Sequence, residues 1–246
     1  MKKTIGSTFM QETKYENLVD SPQREGAPFP DVEVIFRPDA ERIDLPEPKK
    51  DFLPSEDLTN LIAERETLRK YSDIFLSMDE VSILLWGTQG IKTTWKNGLT
   101  KRTVPSAGSR HPFETVLLVN KVEGVTPGLY QYIASGHQLS LLDASASCNA
   151  DLTEACLKQS HVRTSAVTFA WAAIATRTIW RYSQRGYRYI HLDAGHVCQN
   201  LYLLAEAIGC GVCAIAAFDD DAVNRVIGLD GEEQFVVYLA SVGKKN

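Results

Sequence analysis

The stretch TVPSAGSRHPFETVLLV, Thr103–Val119, passes from a turn into an apolar run with an Arg and a His between them. Pro105 and Gly108 favour a tight bend whose backbone N–H groups face outward, and Ser106 and Ser109 add short hydroxyls. The Val- and Leu-rich run after Phe113 reads as a strand that anchors the bend. Such a turn can approach a planar ligand closely; it also fits an ordinary loop entering a strand. It is no triphosphate-binding loop, because the Gly-Lys-Ser/Thr ending is missing.

Outward from this stretch, strand-like runs recur at ETVLLVN, GLYQYI, QLSLLD, AVTFAWAAI, VCAIAAF and QFVVYLASV, each bounded by Gly, Asn or Asp. Helical patterns lie between and before them. Ser55 can cap a helix carrying Leu58, Leu61 and Ile62. Ser77 with Glu80 forms a capping box before Val81, Leu84 and Leu85, and Gly87 and Gly90 end that helix. DAGHVCQNLYLLAEAIG predicts a helix from near Asp193 to Gly209, with Val197, Leu201, Leu204, Ala205 and Ile208 on one face. Helices and strands are interspersed without regular alternation, which predicts an α+β fold rather than a doubly wound parallel sheet. Residues 1–56, rich in Pro and charge, predict an extended arm, and residues 57–246 the folded domain.

The 246 residues are 44% hydrophobic and carry a net charge of -5, so no basic field draws the chain to nucleic acid or anionic lipid. No apolar run is long enough for a membrane helix, and the N-terminus lacks the apolar segment of an export signal. Five cysteines without disulfide-scaffold spacing predict reduced thiols in a cytoplasm.

Several groups could carry chemistry. In RETLRKYS, Arg65 and Arg69 lie four apart, as on one helical face, with Thr67 and Lys70 nearby. Fixed guanidinium groups and a hydroxyl suit a phosphate, though a solvated face with a Glu66–Lys70 pair has the same pattern. Cys210 and Cys213 form a C-x-x-C, but after a helix and into a strand, which favours a glycine turn between packed elements over a redox or zinc site. His191 and His196 fall on different helical faces, so no metal is expected. No serine-hydrolase motif is visible. TRTIWRYSQRGYRYIH interleaves aromatics with arginines and could bind an aromatic cofactor or a small substrate.

Read in order, RETLRKYS, LLWGTQGI, PSAGSRHPFE, PGLYQY, RGYRYIHLDAGHVCQNLYLLAEAIGCG, AAFDDDAVNRVIGLDGEE and a terminal strand ending SVG resemble the nitroreductase superfamily. More narrowly, they resemble its SagB-type dehydrogenase branch, which includes azoline oxidases of thiazole/oxazole peptide pathways. The resemblance covers about residues 57–243. It implies a mainly antiparallel sheet flanked by helices, and an intertwined homodimer with FMN at its interface. It implies that Arg65, Glu66, Thr67 and Arg69 line the flavin, and that Pro105, Ser106, Ala107, Gly108 and Ser109 form the turn beside its ring. Ala216 and Ala217 match the backbone near flavin N5, and Lys244 or Lys245 a late basic residue that completes the phosphate site. Azoline-oxidising relatives tend to have Lys-Tyr where Arg181-Tyr182 stand; the tyrosine is kept, but an arginine cannot serve as a base near neutral pH. The implied activity is hydride exchange between flavin N5 and a small organic substrate, ping-pong with NAD(P)H, with Tyr182 and Arg181 at the substrate. The alternatives are an azoline dehydrogenase acting on a ribosomal peptide with oxygen as acceptor, a flavin-free interaction subunit, and a thiol redox protein.

Overall fold

The computed structural model describes residues 4–48, 53, 57–96 and 98–246. Its centre is a seven-stranded sheet whose paired strands all run antiparallel: β1 (Arg42–Asp44), β4 (Phe113–Val119), β5 (Gly128–Ile133), β6 (Gln138–Asp143), β7 (Val167–Ile174), β8 (Cys210–Ile215) and β9 (Gln234–Lys244), in the order β1-β6-β5-β4-β7-β9-β8. β4 and β7 occupy the middle and every residue in them is buried, so alternation sorts their side chains into two cores. Phe113, Leu117 and Val119 face one core with α3 (Met78–Gln89) and α7 (Gly186–Ala207). Val116 and Leu118 face the other, with α4 (Cys148–Ala155), α5 (Ser160–Thr164) and α8 (Asp220–Ile227). An α+β fold of helices on both faces of an antiparallel sheet results. No described helix is long and apolar enough to cross a membrane.

Local signals set several boundaries. Ser77 and Glu80 cap α3 reciprocally; the helix runs through Gly87 and stops at Gly90. α2 (Leu58–Glu64) is capped by Asp57, while Ser55, the expected cap, lies outside the described residues. α7 begins seven residues before the expected start at Asp193. The break lies further upstream, at Ser183, whose φ of 51° ends α6 (Ala175–Tyr182). Gly209, with φ of 67°, makes the glycine turn between α7 and β8, and Cys210 and Cys213 sit three apart within the strand and point to opposite faces. β1 and the hairpin of β2 (Ile91–Thr94) with β3 (Thr100–Arg102) have no counterpart among the expected strands; they are short and their alternation is weak.

The N-terminal residues are strapped to the sheet by buried polar side chains. Glu114 accepts from the Val34 N–H (2.7 Å) and pairs with Arg177, both side chains 2% exposed. Arg177 also donates to the Asp31 carbonyl (2.7 Å), and Arg102 to the Val32 carbonyl (3.2 Å). Gln131 bonds both Val34 and Phe36. Burial pushes the Glu114 carboxyl up, against the pull of Arg177 and Arg102. Further upstream, α1 (Ile5–Glu12) is held by Arg188, which donates to Thr13 Oγ1 (2.6 Å) and the Met10 carbonyl.

Candidate active site

Two groups of expected residues are assembled, one at each shoulder of α7. The first lies on the outer edge of β8. α2 stops at Arg65, and the chain then runs extended, bridged in parallel at Thr67↔Val212, with the Leu68 N–H on the Val212 carbonyl (2.9 Å). Arg65 and Arg69 therefore do not share a helical face. In an extended segment residues two apart share a side, so Arg65, Thr67 and Arg69 are still presented together, and Glu66 is turned away from them. Leu68, and Tyr71 beyond Arg69, drop into gaps left by glycines. A Cβ on Gly211 would meet Leu68 Cβ at 2.5 Å, and one on Gly243 would meet the Tyr71 ring at 2.6 Å. Tyr71 is locked there by bonds to the Leu68 carbonyl and Ser241 Oγ, both 2.8 Å.

Tyr202, from α7, ties this edge together. Its hydroxyl accepts from the Ala214 N–H (3.0 Å) and meets Thr67 Oγ1 at 3.3 Å, and the Arg65 guanidinium lies over its ring. Neither Arg65 nor Arg69 has a carboxylate partner among the described residues. Arg69 lies beside Cys213, whose thiol is pushed up by burial and pulled back by that arginine. Ala216 and Ala217 follow β8 and are exposed. Val212 and Ala214 turn their backbone groups to the outer edge, and β8 ends at Ile215, just before Ala216. Lys244 does not join the cluster: its ammonium pairs with Glu80 and donates to the Ile208 carbonyl (3.0 Å). Lys245 pairs with Glu206.

The second group is the turn. Pro105 is exposed, Ala107–Ser109 form a single 3-10 turn, and Gly108 and Ser109 have φ of 57° and 54°. Ser106 is the hub: its hydroxyl donates to Asp193 Oδ2 (2.6 Å) and accepts from the His111 N–H (2.8 Å), while the Ala107 N–H reaches Asp193 Oδ1 (3.4 Å). Asp193 is 4% exposed; burial pushes its carboxyl up and the Ser106 hydroxyl pulls it down. Buried His111, beside Arg102, is pushed down to about 3. Gly108 packs on the expected substrate pair, since a Cβ there would lie 2.5 Å from the Tyr182 hydroxyl and 3.1 Å from Arg181 Cδ. Arg110 lies over Phe29 and Trp180 and donates to the Gly108 carbonyl (3.0 Å).

Asp193 and Tyr202 position the two groups, yet neither is among the residues the sequence singles out for the site. Asp193 reads there as a helix start; its partner in the fold lies 87 residues away. Tyr202 sits among the leucines of α7 and gives no signal beyond a hydroxyl on an apolar helix.

The donor set fits a phosphorylated flavin: two guanidinium groups free of carboxylates beside a hydroxyl, and a separate turn of small residues whose exposed Gly108 presents no side chain. Lys244, committed to Glu80, does not fit the phosphate role as arranged.

The Nitroreductase family profile matches residues 62–244. MJ1384 of Methanocaldococcus jannaschii, which carries a nitroreductase name, is 33% identical over 189 residues, 76% of this chain and 91% of that protein. The trifolitoxin-processing protein TfxB of Rhizobium leguminosarum bv. trifolii is 28% identical over 164 residues, 63% of this chain and 44% of its own length. A solved structure with a nitroreductase name, from Anabaena variabilis, superposes with TM-score 0.69 at 26% identity, over 85% of this chain and 42% of that one. A chain of the Escherichia coli microcin synthetase McbBCD complex, solved with truncated pro-MccB17, superposes with TM-score 0.61 at 18% identity, over 100% and 99% of the two chains.

Proposed function

From a chain that belongs to the nitroreductase family, and within it to the SagB-type branch, we propose an FMN-dependent oxidoreductase that works as a homodimer. The observation that carries this reading is the pair of groups held by α7: the free Arg65–Thr67–Arg69 edge on Tyr202, and the Ser106–Gly108 turn on Asp193. Arg65, Thr67 and Arg69 would hold the phosphate and ribityl side. The turn would lie against the ring, with the Ala216 N–H facing developing negative charge. When bound, the flavin supplies hydride transfer to and from a substrate. The chain's own share would be to orient and to move a proton: Tyr182, whose hydroxyl packs at Gly108, would give or take one. Arg181, a guanidinium, orients.

The wheel of α7 supports the dimer. Asp193 and Tyr202 are nine residues apart, about half a turn in direction. Between them runs an exposed stripe of Leu192, Gly195, His196 and Gln199. Within one chain the two groups therefore lie on opposite shoulders of that stripe. A second copy packed across it would bring the turn of one protomer to the arginine edge of the other. NAD(P)H is the proposed reductant, and a reducing cytoplasm the proposed compartment.

The test is the visible spectrum of the purified protein and the identity of what denaturation releases. Flavin bands with released FMN support the reading; a colourless protein that takes up no FMN overturns it. A second reading, azoline dehydrogenation of a peptide, is favoured by the likeness to TfxB. Turnover of an azoline peptide with oxygen as acceptor would select it over reduction by NAD(P)H.

A further inference from the structure

A cavity of about 510 Å³ opens between residues 15–24 and the junction of α6 with α7. Its wall includes Tyr15, Val19, Arg24, Arg181, Tyr182 and Arg185. The N-terminal side of that wall is fixed: the Gln23 N–H donates to the Trp180 carbonyl (2.8 Å), Trp180 Nε1 to the Ala27 carbonyl (3.0 Å), and the Tyr15 and Tyr189 hydroxyls meet at 2.8 Å. The cavity shares Arg181 and Tyr182 with the packing on Gly108, so it abuts the turn.

Its charge is unbalanced. Three arginines face one acidic residue, Asp20, and that carboxylate is taken by Arg24 at 3.3 Å. Arg185 spends its donors on the Tyr189 hydroxyl (2.9 Å) and the Thr13 carbonyl (2.8 Å) while stacking on Tyr15. Arg181 makes no hydrogen bond or ion pair among the described residues; its stem packs on Gly108 and its guanidinium lies over the Tyr182 ring, 5.7 Å away. A planar fork of donors is thus left open in a cavity of small-molecule size.

We propose that this cavity is the substrate pocket, that it selects a small molecule bearing a carboxylate, and that Arg181 is the residue that recognises it. The proposal takes from the flavin reading only the place where the chemistry happens. Neither the arginine's exposure nor its stacking limits the pairing, because a guanidinium can meet a carboxylate edge-on while its face stays on the tyrosine.

Two probes of one shape separate the charge from the rest: 4-nitrobenzoate and 4-nitrobenzamide. Their affinities are measured by calorimetry on the protein as purified, and their KM values with NADPH on the FMN-loaded enzyme. The nitrobenzoate is expected to bind at least about fivefold tighter at low salt, with the preference shrinking as salt rises and vanishing in Arg181→Gln. Arg181→Lys, which keeps the charge without the fork, should restore part of it. Equal affinities, binding of neither probe at millimolar concentration, or a preference that survives Arg181→Gln overturns the proposal. Should Arg181→Gln not fold, Val19→Trp narrows the cavity from the opposite wall and must weaken nitrobenzoate binding; unchanged binding overturns the proposal equally. The calorimetric preference does not need the flavin, so a protein that binds no FMN yet prefers nitrobenzoate defeats the flavin reading and leaves the pocket standing.

Discussion

Gly211 and Gly243 are register partners across the β8–β9 pair, and the segment carrying the site arginines is seated on them. Leu68 fills the gap over one and Tyr71 the gap over the other. Two absent side chains thereby set where Arg65, Thr67 and Arg69 stand.

Gly243→Ala is accordingly expected to displace the Tyr71 ring, which a Cβ would meet at 2.6 Å. Overpacking of this kind costs about 1–3 kcal/mol. The thermal midpoint should fall, and FMN affinity should fall with it by about tenfold, since the arginines move with the ring. A variant that keeps wild-type FMN affinity would break the link between these glycines and the site.

Ser106→Ala removes the hydroxyl that joins the turn to Asp193 and to the His111 N–H. It leaves a buried carboxylate short of one donor, a loss of about 1–3 kcal/mol. Flavin fluorescence titration should show weaker FMN binding, with the circular dichroism of the fold unchanged.

The cations expected at the phosphate end of the proposed flavin site can be told apart by substitution. Arg69→Gln should weaken FMN binding by about tenfold, the effect of deleting one charge-assisted hydrogen bond to a phosphate. Lys244→Met should act instead on stability, because it strips Glu80 of its partner, and should move FMN affinity less than about threefold. The reverse pattern would return Lys244 to the phosphate.

His111 gives a pH prediction. Burial beside Arg102 takes its imidazole from an ordinary 6.5 down to about 3. The unfolded chain accepts a proton below about pH 6.5 that the folded chain refuses until about pH 3, so this group's stabilisation is present above that window and lost as pH falls through it. Denaturant titrations should show His111→Gln losing less stability on acidification than wild type, by up to about 1.4 kcal/mol per pH unit across the window. Equal slopes would mean that His111 is protonated in the folded state.

Legibility in the sequence follows the range of the interaction that decides each element. β4 to β9 are readable because runs of Val, Ile, Tyr and Phe bounded by Gly, Asn or Asp mark strands locally, and Ser77 with Glu80 marks α3 through a pairing three residues long. The spacing in RETLRKYS predicts a helix, but the Val212 carbonyl, far along the chain, captures the Leu68 N–H and holds the segment extended. The residue set is the same in spite of that difference, because positions 65, 67 and 69 share a side in an extended chain. Asp193 escapes local reading for the same reason: a buried carboxylate on an apolar helix is explained only by Ser106, which local patterning does not reveal. The short strands β1 to β3 are set by pairing rather than by composition.

The buried strap on the N-terminal residues has a consequence for how the polypeptide is made. Asp31, Val32 and Val34 leave the ribosome early, but Glu114 lies 80 residues behind Val34, and Arg177 lies 146 residues behind Asp31. Until Arg177 emerges, Arg102 and Gln131 can hold only Val32, Val34 and Phe36, and Glu114 lacks its ion-pair partner in a half-built sheet. Completion of the sheet and capture of the leading segment therefore belong to one late cooperative event, and a nascent chain halted before Arg177 should be held by chaperones with its N-terminus open to protease.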